Sequence, residues 1–121
     1  MANLGSLHLQ QGRNADAVTI LRRALDKDPR NVESRTNLIV ALGLTRDPEG
    51  ARGLVEDAVA SGQRVALYHN ALAYALHVNG RDEEALEEIR RSLVIDPRQP
   101  DALRLRAEIE RGDPARGLPY R

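Results

Sequence analysis

The chain has 121 residues, and its 18 basic and 18 acidic side chains balance to a net charge of zero at pH 7. A neutral chain carries no excess field toward nucleic acids or acidic lipids, so neither is an expected partner. The absence of cysteine excludes disulfides, thiolate metal sites and cysteine nucleophiles. No apolar run approaches the roughly 20 residues that a membrane span needs, so we expect no membrane insertion.

Three segments of the chain align with a fixed offset of 34 residues. Similar apolar residues recur at this interval: Leu4, Leu38 and Leu72; Ala17, Ala51 and Ala85; Leu21, Val55 and Ile89. A constant period of this length is typical of stacked repeat proteins, whose units bury their apolar faces against one another. We expect the three alanines to be buried where two helices of one unit meet closely.

The apolar spacing within each segment is helical. Ala17, Leu21, Ala24 and Leu25 stand at i, i+4, i+7 and i+8, which marks one face of an amphipathic helix. In chain order, we predict seven helices, over 1–11, 14–27, 32–43, 48–61, 66–78, 82–95 and 100–111. Because short loops join antiparallel neighbours, the predicted fold is all-α, a solenoid of antiparallel helix pairs.

Residues suited to helix caps stand at the predicted helix ends. Asn14, Asp47 and Asp82 are predicted N-caps, and Pro48 follows Asp47 as a first-turn proline. Gly80 is a predicted C-terminal cap in the left-handed conformation. These residues set the predicted boundaries between helices.

The residues of each unit resemble the tetratricopeptide repeat. Leucine followed by a small residue in the first helix, two small residues seven apart in the second, and a closing proline carry the resemblance. Gln63 stands where the middle unit would have that proline. The resemblance implies a right-handed superhelical domain over 1–112, with units at 1–31, 32–65 and 66–99, a capping helix at 100–111 and a C-terminal tail at 113–121.

The resemblance also implies a binding groove, because the first helices of this family line the concave side of the stack. Ser6 and Leu9 fall on that face in the first predicted helix. The partner-binding residues implied further along the chain are Thr36, Val40, Leu44, Asn70, Tyr74, His77, Arg104 and Glu108. This mixture of apolar and hydrogen-bonding side chains suits a peptide, so we expect a protein or peptide partner.

No arrangement of residues predicts catalysis or metal binding. The three histidines, His8, His69 and His77, include no i, i+4 pair, and no glycine-rich loop follows a strand as phosphate binding requires. The acidic run at 82–84 fits a helix N-terminus, where carboxylates are favourable. We therefore expect no enzyme activity, no metal and no cofactor.

The two ends of the chain differ in charge. The last predicted helix is rich in charged side chains, whereas the first twelve residues carry none and include Leu4 and Leu7. Contiguous exposed apolar surface usually marks a contact site. We expect Leu4 and Leu7 to be covered, either by a second copy in a homo-oligomer or by preceding repeats of a longer protein.

Three functions stay open at this point. The leading hypothesis is a non-catalytic interaction module that binds a peptide or helix in the concave groove, as part of a larger protein. The second is a scaffold that self-associates through its N-terminal end. The third is a regulatory appendage of an enzyme on a longer chain.

Overall fold

A computed structural model describes residues 14–112, and this range contains six α-helices and no strand. The helices are α1 (Asn14–Lys27), α2 (Val32–Leu44), α3 (Pro48–Ala60), α4 (Ala66–Val78), α5 (Asp82–Ile95) and α6 (Pro100–Glu110). Each agrees with its predicted bounds to within one residue, so the all-α prediction is confirmed. The predicted helix over 1–11 and the tail at 113–121 lie outside the described residues.

The helices pack in two rows. We call α2, α4 and α6 the leading helices, since each begins a unit or the cap, and α1, α3 and α5 the trailing helices. The backbones of the leading helices approach one another in chain order, whereas within residues 14–112 the trailing helices meet one another only through long side chains. The leading row is therefore the tighter, inner row of the curved stack, and the trailing helices form its outer side.

The 34-residue period is a packing period. Ala17, Ala51 and Ala85 have no exposed surface, as predicted, and lie in one continuous hydrophobic core. Residues 34–43 of α2 and 71–77 of α4 are buried on every face of their helices, as expected for central helices that are apolar almost all round. None of the helices described between 14 and 112 is long and apolar enough to cross a membrane.

Some of the predicted helix caps are present in the structure and others are not. Asp47 caps α3 by accepting a hydrogen bond from the Gly50 backbone N–H at 2.9 Å, and Gly80 has the left-handed φ of 77°. The prediction for Asp82 needs correction, because Asp82 is the first residue of its helix rather than the residue before it, and the residue before Asn14 lies outside the described range. Asp82 is drawn away from the cap position by a histidine, as described below.

Helices α2 and α4 approach each other most closely at Gly43. A Cβ atom at this position would lie 2.5 Å from Ala75 Cβ and 2.6 Å from Ala75 Cα, closer than packed carbons allow. The Asn79 side-chain amide donates to the backbone carbonyls of Gly43 at 2.9 Å and Ala75 at 2.7 Å. This contact fixes two neighbouring leading helices side by side.

Candidate functional site

Six of the eight predicted groove residues form two rows with the 34-residue period. One row is Thr36, Asn70 and Arg104, and the other is Val40, Tyr74 and Glu108. Each row takes one residue from α2, α4 and α6, and these three helices contact one another in that order. The rows therefore run across the leading helices.

Exposure along these rows rises from α2 toward α6. Arg104 is exposed, Leu44, Asn70 and Glu108 are half-buried, and Thr36, Tyr74 and His77 are buried. Val40 has no exposed surface and is a core residue, which corrects its assignment as a groove contact. The physical reason is that residues 34–43 of α2 are buried on every face of the helix, including the face that carries Val40.

Three of the predicted groove residues have a polar atom that is buried and has no hydrogen-bond partner within residues 14–112. They are Thr36 Oγ1, Asn70 Oδ1 and His77 Nε2. The other ring nitrogen of His77, Nδ1, lies 2.6 Å from Asp82 Oδ1, and a carboxylate oxygen accepts a hydrogen bond from a ring N–H. A buried polar atom without a partner costs about 1–3 kcal/mol. Hydrogen bonds from a bound partner would remove that cost only if these side chains turned outward to meet its donors.

Arg104 is the most accessible charged residue of the two rows. Its guanidinium donates to Asp101 Oδ1 at 3.0 Å, and both side chains are about two-thirds exposed. An exposed pair one helical turn apart contributes little to stability. Arg104 can therefore exchange Asp101 for a carboxylate of another molecule at small cost.

A second concavity lies on the outer side of the stack, between α3 and α5 and above α4. Its volume is about 370 Å³. It is lined by Arg52, Val55, Glu56, Val59 and Ala60 of α3, His69 and Leu72 of α4, and Glu88 and Arg91 of α5. We call it the outer cleft. No sequence pattern predicted it.

A buried polar contact forms part of the outer cleft. His69 Nδ1 lies 2.9 Å from Glu88 Oε2, and the Arg91 guanidinium donates to Glu88 Oε1 at 2.9 Å. Glu88 is only 3% exposed, so these two donors take the place of water around its carboxylate. The 19-residue separation of His69 and Glu88 gave no local motif from which the contact could be predicted.

The tetratricopeptide repeat profile matches residues 8–74, which is more than half of the chain. The protein belongs to the tetratricopeptide repeat family. The match includes α1, α2, α3 and the first nine residues of α4. Repeats of this family generally mediate protein–protein interactions and are typically non-catalytic. Comparison with curated proteins gives no match to the chain.

In this tetratricopeptide repeat protein, the outer side is also crossed by a network of charges. Arg52 pairs with Glu84 at 3.0 Å and with Glu49 at 3.9 Å, and Arg81 pairs with the same two glutamates. The Arg81 guanidinium holds the pKa of Glu49 below its ordinary value, and Glu49 raises the pKa of Arg81. The network joins the N-terminal ends of α3 and α5, but its exposure means that salt screens it.

The charged side chains of the repeats do not converge on a metal. Over residues 14–112, no group of three or more histidine, aspartate or glutamate side chains is arranged to hold a metal ion. The carboxylates near the two described histidines are engaged in the pairs His69–Glu88 and His77–Asp82. What the described surface offers is hydrogen-bonding and apolar contact.

Proposed function

We propose that this tetratricopeptide repeat protein is a non-catalytic interaction module that binds a peptide or helix of a partner protein along its leading helices. One observation carries the proposal. Thr36, Asn70 and Arg104 occupy the same position on three successive leading helices, and the first two keep buried oxygen atoms without hydrogen-bond partners. Backbone or side-chain N–H groups of a partner would supply the missing donors.

The partner reaches this surface from the side of α6. Arg104 is exposed and Asn70 and Glu108 are half-buried, so these three residues make the first contacts. Arg104 exchanges Asp101 for an acidic group of the partner, and Glu108 receives a donor. Tyr74 and His77 lie further inside the same face and contact the partner as it settles, whereas Val40 supports the surface from the core.

Phage display of random 15-residue peptides, followed by fluorescence anisotropy, tests the proposal. We expect Asn70→Ala and Arg104→Ala each to weaken binding of a selected peptide about fivefold or more, which corresponds to roughly 1 kcal/mol at a central contact. Arg106→Ala is the matched control, since Arg106 is exposed on the same helix and its ion pair with Glu110 is long, at 4.0 Å. Equal affinities for all three variants and the unmodified protein would contradict the proposal.

The other two roles stay predictions. Leu4 and Leu7, the residues expected at a self-association end, lie outside the described range. A regulatory role on a longer chain is compatible with the same binding surface, because a domain that holds one protein segment can hold a segment of its own chain. Self-association has a test of its own, given in the Discussion.

A further inference from the structure

Only three positions of the 34-residue period carry the same residue in all three units. Two of them supply core residues such as Leu38 and Ala51, which are fully buried, so packing accounts for their identity. The third is an arginine: Arg30, Arg64 and Arg98. All three arginines are exposed, so packing does not explain why the same residue stands at this position in every unit.

The three arginines lie along one edge of the stack. Each stands two residues before a leading helix begins, in the loops 28–31, 61–65 and 96–99. We call the surface made by these loops and the adjoining helix ends the loop edge. Because α2, α4 and α6 contact in order, the arginines form a row with one residue for each leading helix.

Within the described part of the chain, the side chains of these arginines have no charged partner. Among residues 14–112, none of them makes a side-chain hydrogen bond or an ion pair. Two arginines of the outer side, Arg52 and Arg81, are by contrast both paired with glutamates. A role in holding units together therefore does not explain the row either.

The loop edge also carries the large apolar side chains that the described chain exposes. They are Val32, Val59, Leu67, Val94 and Leu103, with exposures between 36% and 67%. Each is either the penultimate residue of a trailing helix or one of the first four residues of a leading helix. Apolar surface concentrated in this way marks a contact site.

We propose that the loop edge docks an acidic protein segment that is extended in the polyproline II conformation. Carboxylates of the segment pair with Arg30, Arg64 and Arg98, and its apolar side chains cover residues such as Leu67 and Val94. Packed helices lie about 8–10 Å apart, and polyproline II has three residues per turn and a rise of about 3.1 Å per residue. A carboxylate at every third residue therefore meets one arginine per repeat, about 9 Å apart.

A continuous anionic surface fits the loop edge less well than such a segment. Asp28 and Asp96 stand in the same loops, and their Oδ1 atoms accept hydrogen bonds from the backbone N–H groups of Arg30 at 3.4 Å and Arg98 at 3.1 Å. These carboxylates are held beside the arginines and would face the phosphates of a bilayer or of nucleic acid. Spaced carboxylates can contact the arginines and avoid Asp28 and Asp96.

Fluorescence anisotropy with designed peptides tests the inference. The probe is a labelled 15-residue peptide made of five Glu-Leu-Pro units, and the comparison peptide has the same composition with its five glutamates in one block. We expect the spaced peptide to bind more tightly than the blocked one. We expect the triple variant Arg30→Gln, Arg64→Gln, Arg98→Gln to weaken that binding at least tenfold.

The control is a second triple variant, Arg22→Gln, Arg23→Gln, Arg46→Gln, which removes the same charge from exposed positions away from the loop edge. It should bind the spaced peptide like the unmodified protein. Equal losses in both triple variants, or equal affinity for the two peptides, would overturn the proposal. So would binding to phosphatidylserine vesicles in place of the peptide. Arg104→Ala should leave this binding unchanged, which separates it from the surface proposed above.

Discussion

His69 Nδ1 lies 2.9 Å from Glu88 Oε2. The equivalent positions of the preceding unit are also joined by a polar contact, but between different chemical groups. Residues 34 positions earlier are Arg35 and Leu54, and the Arg35 guanidinium donates to the Leu54 backbone carbonyl at 2.8 Å. Both contacts join a leading helix to its trailing helix, and in each the residue on the leading helix is buried. The repeat is therefore preserved in the position of its polar contacts as well as in its apolar core.

The first prediction concerns this pair. Glu88→Leu removes the carboxylate that His69 and Arg91 contact, and a buried N–H left without an acceptor costs about 1–3 kcal/mol. The free energy of unfolding from urea titration should fall by about that amount. Glu88→Gln keeps one acceptor oxygen and should lose less. Glu83→Gln, at an exposed position on the same helix, serves as the control, and a Glu88→Leu midpoint equal to that of Glu83→Gln would contradict the prediction.

The second prediction uses two glycines in neighbouring helices. Gly43→Ala places a methyl group against Ala75, where a Cβ would be 2.5 Å from Ala75 Cβ, and overpacking of this kind costs about 1–3 kcal/mol. Gly53→Ala, within α3, meets no atom within 4 Å and should stabilise the protein by about 0.5–1 kcal/mol, because alanine is the better helix former. Thermal unfolding of both variants measures the difference, and shifts of the same sign would refute this account of the α2–α4 contact.

The sequence predicted the helices because their ends carry local signals. Asp47 and Pro48 begin α3, and Gly80 ends α4, each through chemistry within a few residues of the helix end. Asp82 failed as a cap because its carboxylate contacts His77, a residue of the preceding helix. A cap signal gives no information on such a competing partner.

The candidate surface was only partly predictable. The periodic row of Thr36, Asn70 and Arg104 follows from the sequence, but the burial of Val40 depends on how completely α2 is surrounded. The outer cleft depends on the separation of two trailing helices, which no local pattern records. The equivalence of His69 with Arg35 was present in the 34-residue alignment and could have indicated a shared polar position on α2 and α4.

The third prediction concerns acid. The pKa of Glu49 is lowered in the folded protein, first by its hydrogen bond with Arg81 and then by the charges of Arg81 and Arg52. A lowered pKa means that the contribution to stability is complete above the ordinary range of a glutamate, about 4, and is lost as pH falls through the folded value. Urea midpoints of the unmodified protein and Glu49→Gln should therefore differ at pH 6 and converge as the pH falls through the lowered pKa of Glu49. A difference that grows on acidification would contradict this.

The fourth prediction concerns the N-terminal end. With His8 neutral, the first twelve residues carry no formal side-chain charge, so any association through Leu4 and Leu7 is hydrophobic and changes little with salt. Sedimentation equilibrium should show concentration-dependent mass for the unmodified protein and a smaller increase for Leu7→Glu. A protein that is monomeric at all concentrations, with and without the substitution, would rule out self-association.

The central claim is that a partner binds along the leading helices, and chemical-shift mapping with a display-selected peptide tests it most directly. The account predicts the largest ¹⁵N–¹H shifts in α4 and α6, around Asn70, Arg104 and Glu108. Resonances of the outer cleft in α3 and α5, and of the loops that carry Arg30, Arg64 and Arg98, should change little with this peptide. Shifts concentrated in α3 and α5, with α4 and α6 unchanged, would contradict the claim.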